Sequence, residues 1–291
     1  MNALPWAQVP HIRLARLAFD WCLVPAGAFS WTVSDETVIG ETDGGDNQSG
    51  RAGTICLSGF EITRTPVTNA QFEQFVAAGA YDREHYWTAE GWRRRTELGW
   101  ARPHRGENAA SIDGVTANAP RLHDRYNANL IDPAAAVTGV SWWEALAFAH
   151  WADAHLPTEA QWTYAAKGPS GRVARSALSS LTEARDAQSR DRARDDQYGT
   201  SFRAHPAGTG ALPFGFADMS GTGAEWCLDN APAGAPDGDS SVDPVYETSE
   251  ISPHVAMRVA GAGSRREIFR PGRRDDQVGF RLVRPIQQAA S

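Results

Sequence analysis

A chain of 291 residues can hold two average domains or one large one, and 42% apolar with 22% charged residues is close to the mean for a folded soluble protein. That excludes a wholly disordered or fibrous polymer. No apolar run approaches the roughly 20 residues of a membrane span, and a net charge of −7 argues against a general nucleic-acid binder. Cys22, Cys56 and Cys227 cannot build a disulfide framework and have no zinc-ligand spacing. Of the 28 basic residues, Lys167 is the single lysine, so arginine abundance is compositional and only local clustering carries information. Eleven tryptophans call for a large packed fold or an aromatic-lined site. At the start, His11, Arg13, Arg16 and Asp20 interrupt the apolar residues, which argues against a secretory signal and for a cytoplasmic protein with reduced thiols.

In chain order, residues 22–29 predict a strand entering a turn, residues 34–54 an exposed loop, and Cys56 to Ile62 a second strand. Three helix starts follow one logic. Thr68 with Gln71, Ser141 with Glu144, and Thr158 with Gln161 each form an S/T-x-x-E/Q capping box, with Val67 placed to staple onto Phe72. The second helix puts Ala145, Phe148, Ala149 and Ala152 on one face, and the third should stop at Gly168. Between the first two helices lies a long aromatic and polar insertion, residues 81–133. Residues 170–200 are charged, poor in apolar side chains, and predict a mobile loop or a solvated helix. The last third reads as short strands: Phe214 to Cys227, Met257 to Gly263 and Val278 to Val283. No repeat of 20–50 residues is visible. The expectation is one α+β domain over residues 1–291.

The run from Val137 through Trp142, Trp143, Glu144 and Trp151 to Trp162 and Lys167 resembles the formylglycine-generating enzyme, or sulfatase-modifying factor, family. Val24 to Phe29 is similar to that family's opening strand, and Pro66 to Phe72 to its first helix. Phe214 to Gly221 with Glu225 and Trp226 is similar to its central signature, and Gly279-Phe280-Arg281 to its ending. The resemblance implies a modified C-type-lectin-like fold with little regular secondary structure. The family spans copper-dependent cysteine oxidases, the C-terminal part of ergothioneine-type sulfoxide synthases, a pyoverdine-maturation enzyme, silent paralogues and lectin-like modules, so function must come from the site.

The departures are informative. Copper in formylglycine-generating enzymes is held by two cysteine thiolates, soft ligands suited to Cu(I). By spacing after Ser264, those positions are Glu267 and Gly272 here, so a copper–thiolate site and cysteine-to-formylglycine oxidation are not expected. The ergothioneine-type branch draws iron-binding histidines from an N-terminal helical domain, and this sequence has no His-x-x-x-His-x-Glu, so iron is not expected either. Calcium at the central signature is a candidate through Glu225, although Thr222 replaces the usual Asn; Glu225 as a structural carboxylate is the alternative.

These considerations nominate Glu267 and Ser264 as catalytic groups. Trp226, Arg265, Arg270, Trp87 and Trp92 are nominated to contact a small-molecule or peptide ligand, an anionic one among the candidates. The arginines of 265–284 leave that segment at +4, whose bland alternative is solvated turns with the compositional bias. Two functions stay open: a tailoring oxidoreductase with replaced catalytic groups, and a non-catalytic binding module.

Overall fold

The structure, a computed structural model, describes residues 19–32, 52–104, 133–169, 214, 216, 223–230, 241–243, 249–260, 263–274 and 277–286. The region 170–200, predicted as a loop or solvated helix, lies outside the described residues, as does most of the 34–54 loop. Among the described residues, ten strands and four α-helices make an α+β fold. None of the described helices is long and apolar enough to cross a membrane.

The predicted first strand is two. β1 (Trp21–Val24) and β2 (Gly27–Thr32) are separated by Pro25, which lacks an amide donor for a ladder. β3 (Ala52–Leu57) and β4 (Phe60–Thr63) likewise split the second predicted strand. The break there is at Ser58-Gly59, where a Cβ on Gly59 would come within 2.6 Å of Ile286 and 3.3 Å of the Ala26 amide nitrogen. β4 is then paired antiparallel on both sides, by β1 and by β10 (Val283–Pro285). β2 and β3 form a second sheet with the short β6 (Ser241–Val242).

All three capping boxes form. Thr68 opens α1 (Asn69–Ala77), Ser141 opens α3 (Trp142–Trp151) and Thr158 opens α4 (Glu159–Lys167), each exchanging side-chain and backbone hydrogen bonds with its N3 residue. α4 ends at Gly168, whose φ of 66° favours glycine. α3 is buried on nearly every side rather than along one face, because it runs between α1 and the sheet described next. The insertion carries a helix the sequence reading passed over, α2 (Ala89–Glu97), with Thr88 as N-cap accepting from the Gly91 amide. The fourth-position pairs Glu90–Arg94 and Arg93–Glu97 support it.

The third sheet runs in the order β8-β7-β5-β9, formed by β5 (Ala224–Asn230), β7 (His254–Ala260), β8 (Gly263–Phe269) and β9 (Val278–Gly279). The arginine-rich segment expected as turns therefore begins as a strand. Its register against β7 runs unbroken from His254↔Phe269 to Ala260↔Gly263.

One core gathers Phe72, Phe75, Phe148 and Phe280, with the Phe72 and Phe148 rings stacked 5.2 Å apart. The other packs Trp162 and Tyr164 of α4 against Ile55, Phe60 and Ile62. Each deeply buried indole finds an acceptor: Trp142 donates to the Cys227 carbonyl, Trp226 to the Val140 carbonyl and Trp162 to Glu225. The Ser141 cap lies in this interior. Its Oγ accepts from the Glu144 amide at 3.2 Å, while Glu144 Oε1 accepts from the Tyr81 hydroxyl and from Arg274. Ser141→Ala should therefore cost about 1–2 kcal/mol, the upper end for a cap, read as a lower denaturant midpoint. No change would mean that the Glu144 network holds the helix start without its cap.

Candidate functional site

A cleft of about 250 Å³ opens between α2, the start of α3 and the C-terminal segment. Each wall has a local cause. α2 supplies Glu90, Arg94 and Leu98, and its first turn is pinned because Glu250 Oε2 accepts from the Glu90 amide at 2.9 Å. Trp100 follows α2 and stands 6.3 Å from Trp143 between ring centres. Two adjacent tryptophans at a helix start point about 100° apart. Trp142 turns inward to β5, and Trp143 turns to the cleft. The Trp143 N–H donates to the Glu250 carbonyl at 3.0 Å, so this ring offers the cleft hydrocarbon only. The opposite lip is Arg270, Pro271 and Gly272, held at the α3 N-terminus by the Trp142 amide donating to the Pro271 carbonyl at 2.9 Å. Ile251 and Pro253 close the rim.

Of the residues nominated from sequence, Arg270 lines this cleft and is exposed. Trp226 does not: it is fully buried, packed edge-on against Phe269 at 5.9 Å. Trp87 is also core, with its ring against Phe75 and Tyr81 and its N–H on the Ala80 carbonyl at 3.1 Å. Trp92 packs partly buried on the same core, beneath the Arg95 guanidinium. The insertion thus forms one side of the cleft through Glu90, Arg94, Leu98 and Trp100 rather than through Trp87 and Trp92. The missed signal was the Glu90/Arg94 spacing, which defines the helix and so its cleft-facing edge.

Glu267 is buried on β8 at 8% exposure, in one transverse row with Ala256 of β7 and Trp226 of β5. It lies three residues before Arg270 and does not line the cleft. Positions 264 and 267 are three apart on β8, whose register against β7 is unbroken. Ser264 and Arg265 pair in register with Val259 and Arg258; their side chains lie outside the described residues.

Arg266 and Arg281, read as part of a basic patch, are interior. Arg266 Nε donates to Glu159 at 3.1 Å. Arg281 is fully buried and grips Glu225 through two bonds of 2.5 and 2.7 Å. Glu225 Oε2 also accepts from the Trp162 indole at 2.7 Å. Three donors on its two oxygens tie Glu225 into the scaffold. Residues 217–222 of the central signature lie outside the described residues.

Residues 14–286 match the family model described as the sulfatase-modifying factor enzyme 1-like domain. The chain belongs to that family. A formylglycine-generating enzyme of Thermomonospora curvata is 28% identical over 250 residues, 76% of this chain and 75% of that protein. A hercynine oxygenase of Mycolicibacterium smegmatis is 34% identical over 140 residues, 48% of this chain but only 29% of the relative. Against solved structures, Treponema denticola variable protein 1 aligns over 94% of this chain and 97% of its own at a TM-score of 0.50 and 16% identity, a likeness of fold.

The copper of sulfatase-modifying factor oxidases does not fit these residues. Glu267 offers a hard carboxylate, and Gly272 offers no donor; a Cβ there would already stand 3.1 Å from the Trp143 ring. The thiols lie elsewhere, on β1, β3 and β5, and burial raises those of Cys22 and Cys227, which keeps them protonated. Among the described residues, no three His, Cys, Asp or Glu side chains are grouped to hold a metal ion. His150 Nδ1 donates to the Tyr86 carbonyl at 2.8 Å, and burial lowers the pKa of both His150 and His155.

Proposed function

We propose that this protein is an oxidoreductase that modifies a small molecule or peptide at the α2–α3 cleft, and that it is not a cysteine-to-formylglycine oxidase. The observation that carries the reading is the position of the cleft. Its lip, Arg270 to Gly272, belongs to the segment that ends at the second family cysteine position, and the glycine at that position lies against the Trp143 ring. The names of the relatives, an oxygenase and a formylglycine-generating enzyme, support an oxidative reaction class. An aromatic wall with a few charged groups is the usual composition of a small-molecule site.

Glu267 does not line the cleft, so it is the candidate general base only for a substrate that reaches past the Arg270 lip to β8. Replacing it with glutamine preserves volume and removes the proton acceptor, so turnover should fall by about 100-fold or more with a nearly unchanged melting temperature. Oxygen consumption and product formation across candidate substrates read the first effect, and thermal denaturation reads the second. Full activity in Glu267→Gln would make Glu267 a packing residue of β8.

The second reading is a ligand-binding module without turnover. It is favoured by the ion pairing of Arg266, Arg281 and Glu225, which puts much of the charged set into the scaffold rather than into a reactive surface. It expects saturable binding with no product under oxygen. Metal content of the purified protein, measured beside oxygen consumption, separates the two: stoichiometric iron or copper with turnover belongs to the enzyme.

A further inference from the structure

We propose that Asn230 is a positioning residue of the α2–α3 cleft: it holds residues 249–253 as a strap, and the strap ties α2 to Trp143. The proposal rests on the reading of this cleft as the working site and adds how its walls are kept in place.

One side chain holds both ends of the strap. Asn230 stands at the end of β5, where the register against β7 shifts between Trp226 and Asn230. Such an irregularity bends a strand and re-aims its side chains. Asn230 is buried, and its Oδ1 accepts from the Ser249 amide at 2.5 Å while its Nδ2 donates to the Ser249 carbonyl at 3.0 Å. This is the reciprocal exchange that two facing strand residues make, and it needs a donor and an acceptor on one side chain. The same Nδ2 lies 3.4 Å from the Ser252 and Pro253 carbonyls and 3.2 Å from His254 Nε2. Within the strap, the Ser252 amide donates back to the Ser249 carbonyl at 3.3 Å and closes the turn.

From that anchorage the strap reaches both walls through Glu250. Its carbonyl accepts from the Trp143 indole at 3.0 Å, and its carboxylate accepts from the Glu90 amide in the first turn of α2 at 2.9 Å. A carboxylate at the opening amides of a helix also complements the helix dipole. The two bonds differ in kind. The carbonyl belongs to the backbone that Asn230 holds, whereas the carboxylate sits on a side chain that can be removed alone. Ile251 and Pro253 of the strap line the cleft, so its displacement moves the rim together with both fastenings. Sites keep their geometry through supporting bonds of this sort.

The experiment reads hydrogen exchange in the full chain, at the indole N–H groups by NMR and over α2 by mass spectrometry. Loss of one indole signal in Trp143→Phe assigns Trp143. In Asn230→Asp an ionised carboxylate carries acceptors only, so the strap carbonyls lose their donor. We expect the Trp143 indole and the first turn of α2 to exchange about tenfold faster or more. The Trp162 and Trp226 indoles, bonded to Glu225 and to the Val140 carbonyl, should keep their rates. Asn230→Ser, smaller and uncharged, should give the same pattern. Glu250→Ala should speed exchange over α2 alone, because the carbonyl that holds Trp143 remains. Unchanged Trp143 exchange in both Asn230 variants would overturn the proposal. So would equal acceleration or loss of all indole signals in both, which would make Asn230 a general prop of the fold, or a Trp143 response in Glu250→Ala as large as in Asn230→Asp. No turnover is read, so these failures are separate from failure of the oxidoreductase reading, which the oxygen-consumption assay decides.

Discussion

Replacing Arg281 with alanine is expected to remove about 3–5 kcal/mol of stability, because it leaves a buried carboxylate without its counter-ion. That is a large part of the roughly 5–15 kcal/mol available to a folded domain. Arg281 has no exposed surface, and its guanidinium makes the two bonds to Glu225 while Nη1 donates to the Thr63 and Arg64 carbonyls at 3.0 and 3.2 Å. One side chain thereby joins the C-terminal segment, β5 and the end of β4. Glu225 extends the contact to α4 through Trp162. The double replacement Glu225→Leu with Arg281→Met should recover part of the loss, since exchanging a buried ion pair for apolar volume is often close to neutral. Recovery stays incomplete because the Trp162 N–H and two carbonyls lose partners, at about 1–3 kcal/mol for a stranded buried group. Chemical denaturation of the three proteins tests this. A loss below about 1 kcal/mol for Arg281→Ala would mean that water or rearrangement reaches Glu225, and the pair would not be the tie described.

Much of this architecture was legible where the local chemistry was self-sufficient. The Thr68, Ser141 and Thr158 caps are decided by three or four neighbouring residues, and all three form. The α+β class and the family resemblance rested on short motifs spread along the chain, and the family match over residues 14–286 agrees with them. What was not legible depended on distant partners. Nothing near Arg266 announces Glu159, 107 positions away, and nothing near Arg281 announces Thr63, so both looked like members of a solvated basic run. The cleft shows the same limit. Trp143 and Trp142 are equivalent in sequence, and only the position of β5 decides which faces inward. Trp87 and Trp92 were nominated for the ligand because they lie in an insertion, yet the fold draws Trp87 into the Phe75–Tyr81 core. Trp100, the aromatic that does line the cleft, had equal standing in that stretch.

Relative to Asp229→Asn, the stability of the protein should fall as pH rises from about 4 to 7 and level off above 7. Asp229 lies buried on β5, with Oδ2 accepting from the Glu159 amide at 2.5 Å and Oδ1 without a hydrogen-bond partner. Burial, and after it the Glu159 carboxylate, raise its pKa from 3.8 to about 7, with Arg266 opposing. The folded-state value lies above the unfolded one, so the contribution of the protonated group is fully present below about pH 4 and is lost as pH rises through 7. The span sets a ceiling of about 4 kcal/mol, at about 1.4 kcal/mol for each unit of pKa, and Arg266 keeps the true value beneath it. Cys227 is pushed well above its usual range by burial and stays out of this window. His254 is lowered to about 4, which gives the opposite sign within it: its contribution is present above 6.5 and lost toward acid. The two groups oppose each other and flatten the parent's profile below about pH 6.5. Asparagine at 229 keeps an oxygen for the Glu159 amide and removes the charge, so the melting temperature of the variant should rise more steeply than the parent's from pH 4 to 7, and the two curves should run parallel above 7. Glu159 is the neighbour that could carry the proton instead, since burial raises its pKa as well. If Asp229→Asn runs parallel to the parent throughout and Glu159→Gln shows the steeper rise, the proton belongs to Glu159; if neither does, this buried pair does not set the pH dependence.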